Sequence, residues 1–218
     1  MKNIIITGAS GMIGGLVLDM CLKLEDVGTV TSLVRRSSGK DHPKLVELVH
    51  DDFIDYSVIS EHIKNQDVCF YCLGVYTGAV PKDEFRKITV DYTEVFGKAL
   101  RAANESTVFC LLSGQGADRT EKSRVMFARD KGNILEGLGF ERFHTFRPGY
   151  IYPVTSRKEP NFSYKLMRLL YKPVSILYPN IGISSIDLAT AIVKTGLNGS
   201  KLTVLENADI RKVASRID

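Results

Sequence analysis

The sequence predicts an α/β protein built on a doubly wound parallel sheet. Short apolar runs alternate with amphipathic segments over the first two thirds of the chain, which is typical of parallel strands covered by helices on both faces. A glycine-rich turn joins the first apolar run to the first amphipathic segment, as sheets of this class require. With 218 residues, 44% of them hydrophobic, the chain is long enough for one well-buried domain and too short for two.

The alternation places the elements along the chain. We predict strands at 2–7, 28–34, 44–49, 67–73, 107–112 and 142–146, and helices directly after the glycine turn and at 57–64, 83–103 and 122–137. Beyond Tyr150 four prolines interrupt the pattern, and we predict helices at 162–171, at 187–197 and from about 207, with a strand at 202–205. We interpret residues 1–218 as a single domain in which residues 151–218 form an integral C-terminal lobe over the ligand edge.

The turn after the first strand has the composition of a phosphate-binding loop. Its glycines let the backbone turn tightly, approach a pyrophosphate and pack the next helix against the strand. The unpaired amides and the positive dipole at the helix start would face the phosphates. We predict nucleotide contacts from Gly8, Ser10, Gly11, Met12, Ile13 and Gly14. The alternative is a structural strand-turn-helix without a ligand.

The end of the second strand indicates which nucleotide binds. An acidic residue usually stands there, about 20 residues after the glycines, and bonds the ribose 2′-hydroxyl. This chain has Arg35-Arg36-Ser37-Ser38 instead, and its guanidinium groups and hydroxyls suit a 2′-phosphate. We therefore predict NADP(H) as the cofactor, with NAD(H) less favoured; the alternative is an exposed, charged strand end.

Charge and apolar patterning exclude several classes of partner. The chain has 29 basic and 25 acidic residues, a net charge of +4 and no long basic run, so we expect no nucleic-acid partner. No apolar run approaches the roughly 18 residues of a membrane span, and the first residues form a strand rather than a cleavable signal. We therefore expect no membrane partner and a cytoplasmic location.

The four cysteines and four histidines show no metal-ligand spacing. Cys69 and Cys72 are three residues apart in an apolar run that we predict to be a buried strand. Their side chains would point to opposite faces, so neither a disulfide nor a shared metal is expected. We predict no metal site.

Several short motifs together resemble extended or atypical short-chain dehydrogenases/reductases, in particular the NmrA-like and Tat-interacting-protein-like NAD(P)-binding Rossmann proteins. The resemblance covers most of the chain and is looser after Tyr152. It rests on the glycine turn with Thr7, Asp52-Phe53, Cys72-Leu73-Gly74, Asp91-Tyr92, Ser113, Phe146-Arg147-Pro148-Gly149 and Leu205-Glu206-Asn207.

The resemblance implies a bound nicotinamide dinucleotide and residues that hold it. Asp52 would lie near the adenine. The full set of further cofactor contacts that it implies is Asp52, Phe53, Leu73, Gly74, Pro148 and Gly149. It also implies a serine that polarises a substrate carbonyl, at Ser113, and the lysine of a Tyr-x-x-x-Lys pair, at Lys131, which holds the nicotinamide ribose and lowers the tyrosine pKa.

The tyrosine position of that pair holds Phe127. A benzyl ring has no exchangeable proton, so the usual general acid is missing, and no tyrosine elsewhere in the chain has a lysine four residues on. Tyr150 or Tyr152, just past the Arg-Pro-Gly turn, could supply a phenol over the nicotinamide, or Ser113 could hold a water that does so. Alternatively, both tyrosines pack under the C-terminal lobe.

Three functions are compatible with these residues. The first is an NADP(H)-dependent oxidoreductase acting on a small carbonyl compound, with Ser113 orienting the substrate and Lys131 the ribose. The second is a non-catalytic NADP(H)-binding module that recognises a protein partner. The third, an epimerase or dehydratase with a tightly held cofactor, is disfavoured by Phe127. We favour the oxidoreductase because Ser113, Lys131 and the cofactor frame remain in register.

Overall fold

The computed structural model describes residues 1–75, 79–117, 126–154, 171 and 178–216, with the backbone alone at 126–130 and 179. The strands within these ranges are β1 (Lys2–Thr7), β2 (Val27–Val34), β3 (Leu45–Val49), β4 (Val68–Tyr71), β5 (Val108–Leu112), β6 (Arg142–Arg147), β7 (Tyr150–Tyr152), β8 (Gly182–Ser184) and β9 (Val204–Glu206). The helices are α1 (Met12–Lys23), α2 (Lys82–Arg86), α3 (Tyr92–Ala103), α4 (Met126–Glu136), α5 (Ser185–Asn198) and α6 (Asn207–Ser215). Shorter helical segments are 3₁₀-helices at Ser57–Ile63 and Pro179–Ile181 and a π-helical turn at Lys87–Asp91.

Seven of these strands form one sheet in which every neighbouring pair is parallel, in the order β3-β2-β1-β4-β5-β6-β9. The order runs outward in both directions from β1 and β4, so the chain crosses between the two halves of the sheet at this pair. The carboxyl ends of β1 and β4 therefore flank the crevice in which sheets of this topology bind ligands. The predicted doubly wound parallel sheet is confirmed.

Different helices cover the two faces of the sheet. Alternate residues of a strand point to opposite faces, so Ile4 and Ile6 of β1 pack on the side of α1 and α5, and Ile5 packs on the side of α3 and α4. Cys69 and Cys72 follow the same rule and contact different clusters. The strand geometry thus keeps these two thiols apart.

Some predicted elements differ in detail from the structure. The helix predicted at 57–64 is a 3₁₀-helix, and the helix predicted at 83–103 contains a five-residue π-helical turn between α2 and α3. The last strand of the sheet begins at Val204, two residues later than predicted. The strands β7 and β8 were not predicted, because three residues are too few to show a period.

The C-terminal part of the described chain joins the main sheet. β9 pairs with β6 at the sheet edge, while β7 and β8 form a separate two-stranded pair. Most of the helix predicted at 162–171, and residues 122–125 of another predicted helix, lie outside the described residues. The division into one domain with an integral lobe stays a prediction. None of the described helices is both long and apolar enough to cross a bilayer.

Candidate functional site

The glycine turn lies at the carboxyl end of β1, against the loop that follows β4. Gly8 has a φ of +75°, and a Cβ there would lie 2.6 Å from the carbonyl oxygen of Cys72. A Cβ on Gly14 would overlap the Gly8 carbonyl, so this glycine lets α1 pack closely on the turn. Gly11 is exposed and donates its N–H to the Gly8 oxygen at 2.9 Å. Gly8 and Gly14 thus serve packing, and Gly11 keeps the backbone open to a ligand.

The residues around the start of α1 also differ in how far their side chains are exposed. The side chain of Ile13 is buried in the core, so it can offer only its backbone to a ligand, whereas Ser10 is exposed. Met12 is half-buried and packs against the same core as Ile13. The predicted contacts from this turn are therefore mainly backbone contacts.

Arg35 and Arg36 lie across a cavity from the glycine turn. The two arginines line a volume of about 410 Å³ together with Ser10 and Asp51. Both arginine side chains are exposed. The structure thus brings the predicted phosphate loop and the predicted phosphate-binding arginines to one space. Asp51, which the sequence analysis did not name, adds a carboxylate to the lining of this cavity.

The serine hydroxyls beside the arginines are held by Glu47 of β3. Ser37 Oγ donates to Glu47 Oε2 at 2.6 Å, and the backbone N–H and hydroxyl of Ser38 donate to the same carboxylate at 3.0 and 2.5 Å. Desolvation raises the pKa of Glu47, but these hydrogen bonds outweigh it and leave the pKa below its usual value. Both hydroxyls are therefore engaged within the protein, unlike the sequence-based expectation. Glu47 is a charged residue within the apolar run of β3, but this feature of the sequence does not identify the partner of its carboxylate.

The loops after β3 and β4 carry the other contacts predicted for the adenosine. Asp52 is exposed, and its carboxylate accepts a hydrogen bond from the Ile54 N–H at 3.0 Å. The Phe53 ring is buried and stacks on Tyr92 with 5.3 Å between centroids, so its side chain supports the loop from below. Leu73 and Gly74 follow β4 at the same sheet edge, and residues 76–78 beyond them lie outside the described residues.

Lys131 of α4 reaches the end of β5, where Ser113 directly follows the strand. Lys131 is only 6% exposed, and its Nζ donates to the Leu112 carbonyl oxygen at 3.0 Å. The Ser113 N–H donates to the Phe146 carbonyl at 2.9 Å, whereas the buried Ser113 Oγ has no hydrogen-bond partner within the described residues. Burial lowers the pKa of Lys131 to about 8, with Cys72 acting in the opposite direction. An amine and an unsatisfied hydroxyl thus lie at the predicted catalytic edge.

For the candidate proton donors, the structure gives the backbone of Phe127 and the ring contacts of Tyr150 and Tyr152. Phe127 belongs to α4, one turn before Lys131, and its side chain is outside the described residues. The rings of Tyr150 and Tyr152 on β7 lie 5.6 and 4.8 Å from the ring of Tyr171. A phenol supplied by either tyrosine stays a prediction.

Asn207 fixes the Arg-Pro-Gly turn after β6. Its Oδ1 accepts from the Gly149 N–H at 2.9 Å, and its Nδ2 donates to the carbonyl oxygens of Asn180 and Gly182, both at 3.1 Å. The residue is 4% exposed, so its side chain is shielded from solvent. Asn207 thereby positions Gly149 and the buried Pro148, although sequence reasoning did not name it as a site residue.

The amino-acid sequence is similar to a set of fungal proteins. No family model matches the chain. The Emericella nidulans protein named fmp52, mitochondrial, is 31% identical over 160 residues, which are 69% of this chain and 67% of the relative. The chain belongs to the Fmp52 family. The Candida albicans FMP52 protein is 24% identical over 236 aligned positions, which cover 98% of both chains.

The fold of this Fmp52-family chain is similar to that of solved dinucleotide complexes. The Bordetella bronchiseptica enzyme WbmH in complex with NAD+ has a TM-score of 0.70 at 16% identity, over 94% of this chain and 75% of WbmH. A short-chain dehydrogenase from Burkholderia cenocepacia in complex with NADP has a TM-score of 0.62 at 15% identity, over 98% and 91% of the two chains. The fold is therefore the Rossmann fold of the short-chain dehydrogenases/reductases, as the resemblance implied.

The relatives correct the expected location of the Fmp52-family chain. The proteins from Emericella nidulans, Aspergillus clavatus and Candida albicans are all named mitochondrial, so the expectation of a cytoplasmic protein is wrong. Receptors read organelle addresses from short segments, and neither charge nor apolar content reports the compartment.

Proposed function

We propose that this Fmp52-family protein binds NADP(H) and reduces a small carbonyl compound. One observation carries the proposal. The buried Lys131 donates a hydrogen bond to the Leu112 carbonyl, and the hydroxyl of the next residue, Ser113, has no hydrogen-bond partner within the described residues. Buried hydroxyls are normally hydrogen-bonded, so one without a partner suits a polar ligand atom. A substrate carbonyl oxygen fits, because Ser113 can donate to it and the Lys131 ammonium favours negative charge there.

The residues at the glycine turn fit a phosphorylated dinucleotide. Gly11 leaves the start of α1 accessible, and Arg35 and Arg36 line the neighbouring cavity with Asp51. Arginine pairs with a 2′-phosphate through charge-assisted hydrogen bonds, whereas a site for NAD(H) usually has an acidic residue at the strand end. Because Glu47 engages the neighbouring serines, the arginines supply the preference for NADP(H).

The chain's own residues then orient and protonate the substrate. When bound, NADPH would supply the hydride for the carbonyl carbon. Ser113 donates a hydrogen bond to the carbonyl oxygen, and Lys131 supplies the proton that this oxygen needs. The pKa of Lys131, lowered by burial to about 8, keeps the amine mainly protonated near neutral pH and still able to release its proton. Lys131 thus replaces the phenol that Phe127 lacks.

Nucleotide titration tests the binding half of the proposal. We expect NADPH to bind more tightly than NADH, and the double variant Arg35→Gln/Arg36→Gln to lose about tenfold or more in NADPH affinity with little change for NADH. A matched control is Lys23→Gln/Lys98→Gln, which makes the same change in net charge at exposed sites away from the cavity. Equal or tighter NADH binding by the parent protein contradicts the cofactor assignment.

Turnover of a panel of aldehydes and ketones tests the catalytic half. We expect at least one compound to consume NADPH, and Lys131→Ala to lower both NADPH affinity and rate. A panel without turnover, together with intact NADPH affinity, favours the second candidate, a non-catalytic module whose partner surface changes with NADP(H). Phe127 is the specific observation behind that candidate.

We further infer a mitochondrial location from the relatives' names, and fractionation of cells tests it.

A further inference from the structure

A second and larger cavity lies at the opposite edge of the sheet from the proposed cofactor site. Its volume is about 840 Å³, compared with about 410 Å³ at the arginine pair. The start of β6 at Arg142, the loop 198–202 and the last turns of α6 form its walls. β6 ends at Arg147, next to the predicted cofactor contacts Pro148 and Gly149, so the length of this strand separates the two sites.

Cationic side chains dominate the lining of this cavity. They are Arg142, Lys194, Lys201, Lys212 and Arg216. The lining has one carboxylate, Asp209, whose Oδ2 accepts the Glu206 N–H at 3.3 Å and so caps the start of α6. Lys201, Lys212 and Arg216 form no ion pair with any carboxylate in the described part of the chain. Among the described residues, the lining of the cavity thus has five cationic side chains and one carboxylate.

The Arg142 guanidinium packs against the backbone of Gly199, where a side chain would block it. Gly199 ends α5 with a φ of +83°, and a Cβ on it would overlap Nη1 of Arg142. The Arg142 Nε is buried and has no hydrogen-bond partner within the described residues, and its ion pair with Glu141 is long, at 3.8 Å. The backbone thus makes room for a guanidinium that is only weakly neutralised.

We propose that this cavity binds a phosphate-bearing ligand, separately from the dinucleotide site. Guanidinium and ammonium groups are the usual partners of phosphate, and arginine can contact two of its oxygens at once. Like charges that lie close together repel each other, and a bound anion relieves that repulsion. The volume falls within the range of about 300 to 1,000 Å³ that is usual for small-molecule sites. The phosphate could belong to a soluble metabolite or to an anionic lipid headgroup.

Calorimetric titration with inorganic pyrophosphate at low salt tests the site, with Arg35→Gln/Arg36→Gln present in every protein compared so that the dinucleotide site contributes little. Lys201→Gln/Lys212→Gln removes two exposed charges from the lining, and Lys23→Gln/Lys98→Gln is the control with the same net charge. We expect the first variant to weaken the binding by about tenfold or more and the control to change it less than about twofold. Equal affinity of the parent and the first variant overturns the proposal, as does an equal loss in the control.

A second variant and a vesicle assay complete the test. Gly199→Ala displaces the Arg142 guanidinium and should also weaken pyrophosphate binding, with folding checked by circular dichroism. Co-sedimentation with phosphatidylglycerol vesicles, but not phosphatidylcholine vesicles, that is lost in Lys201→Gln/Lys212→Gln identifies a lipid headgroup. Pyrophosphate binding without vesicle binding identifies a soluble phosphate. Binding to neither probe overturns the proposal.

Discussion

The Nζ of Lys131 donates a hydrogen bond to the backbone carbonyl oxygen of Leu112 at 3.0 Å, which ties α4 to the carboxyl end of β5. The lysine is 6% exposed, and burial lowers its pKa from 10.5 to about 8. A carbonyl oxygen compensates an ammonium only in part, so the charge remains costly in this position until a ligand adds further partners. The contact makes Lys131 both a positioning element and a titrating group.

The lowered pKa of Lys131 predicts a specific dependence of stability on pH. Because the unfolded chain binds more protons than the folded one between about pH 8 and 10.5, the folded state gains stability as the pH rises through this window. Lys131→Met removes this effect, so the parent should gain up to roughly 3 kcal/mol relative to the variant between pH 7 and 10.5. Urea unfolding at each pH measures the difference, and a difference that does not change with pH contradicts the assignment.

Glu47 should reduce the preference for NADPH. Its pKa is held below the usual value, so the carboxylate is charged at neutral pH beside the arginine cavity. Glu47→Gln keeps an acceptor for Ser37 and Ser38 but removes the charge, and we expect the ratio of NADPH to NADH affinity to rise by about threefold. Glu61→Gln, at an exposed ion pair elsewhere, is the control. A ratio that falls or stays constant argues against this electrostatic role.

Asn207 should be a stability determinant of the Arg-Pro-Gly turn. Asn207→Ala removes the partner of the Gly149 N–H and of the Asn180 carbonyl, and it leaves the Gly182 carbonyl with only its longer contact to Arg211. We therefore expect a loss of about 3 kcal/mol in the free energy of unfolding. Asn133→Ala, at an exposed position of α4, should change it by less than about 0.5 kcal/mol. Similar urea midpoints for the two variants would show that the three hydrogen bonds contribute little.

Phe127→Tyr should restore the phenol of the Tyr-x-x-x-Lys pair. General acid catalysis typically contributes about 10²- to 10⁴-fold, so we expect kcat for a carbonyl substrate to rise by at least about tenfold. Phe127→Leu changes the side chain without adding a hydroxyl and should give no such gain. If the tyrosine variant binds NADPH normally and still shows no increase, position 127 is not the general-acid position.

Local sequence signals predicted the parts of the site that each depend on one short segment. The spacing of Gly8, Gly11 and Gly14 predicts a tight turn into a helix without information from the rest of the chain. The strand period likewise separates Cys69 from Cys72 by face. The pairing of Ser37 and Ser38 with Glu47 was not predicted, because no local pattern says which residue of a neighbouring strand will stand beside a loop.

The sequence alone determined the parallel sheet and the glycine turn, since hydrophobic periodicity and glycine spacing act through neighbouring residues. Only the tertiary structure decided which distant groups meet: Lys131 with the Leu112 carbonyl, Asn207 with Gly149, and Arg142 with Gly199. These contacts join segments from different strands and helices. Their geometry depends on the strand order and on how each helix packs, which a one-dimensional pattern does not contain.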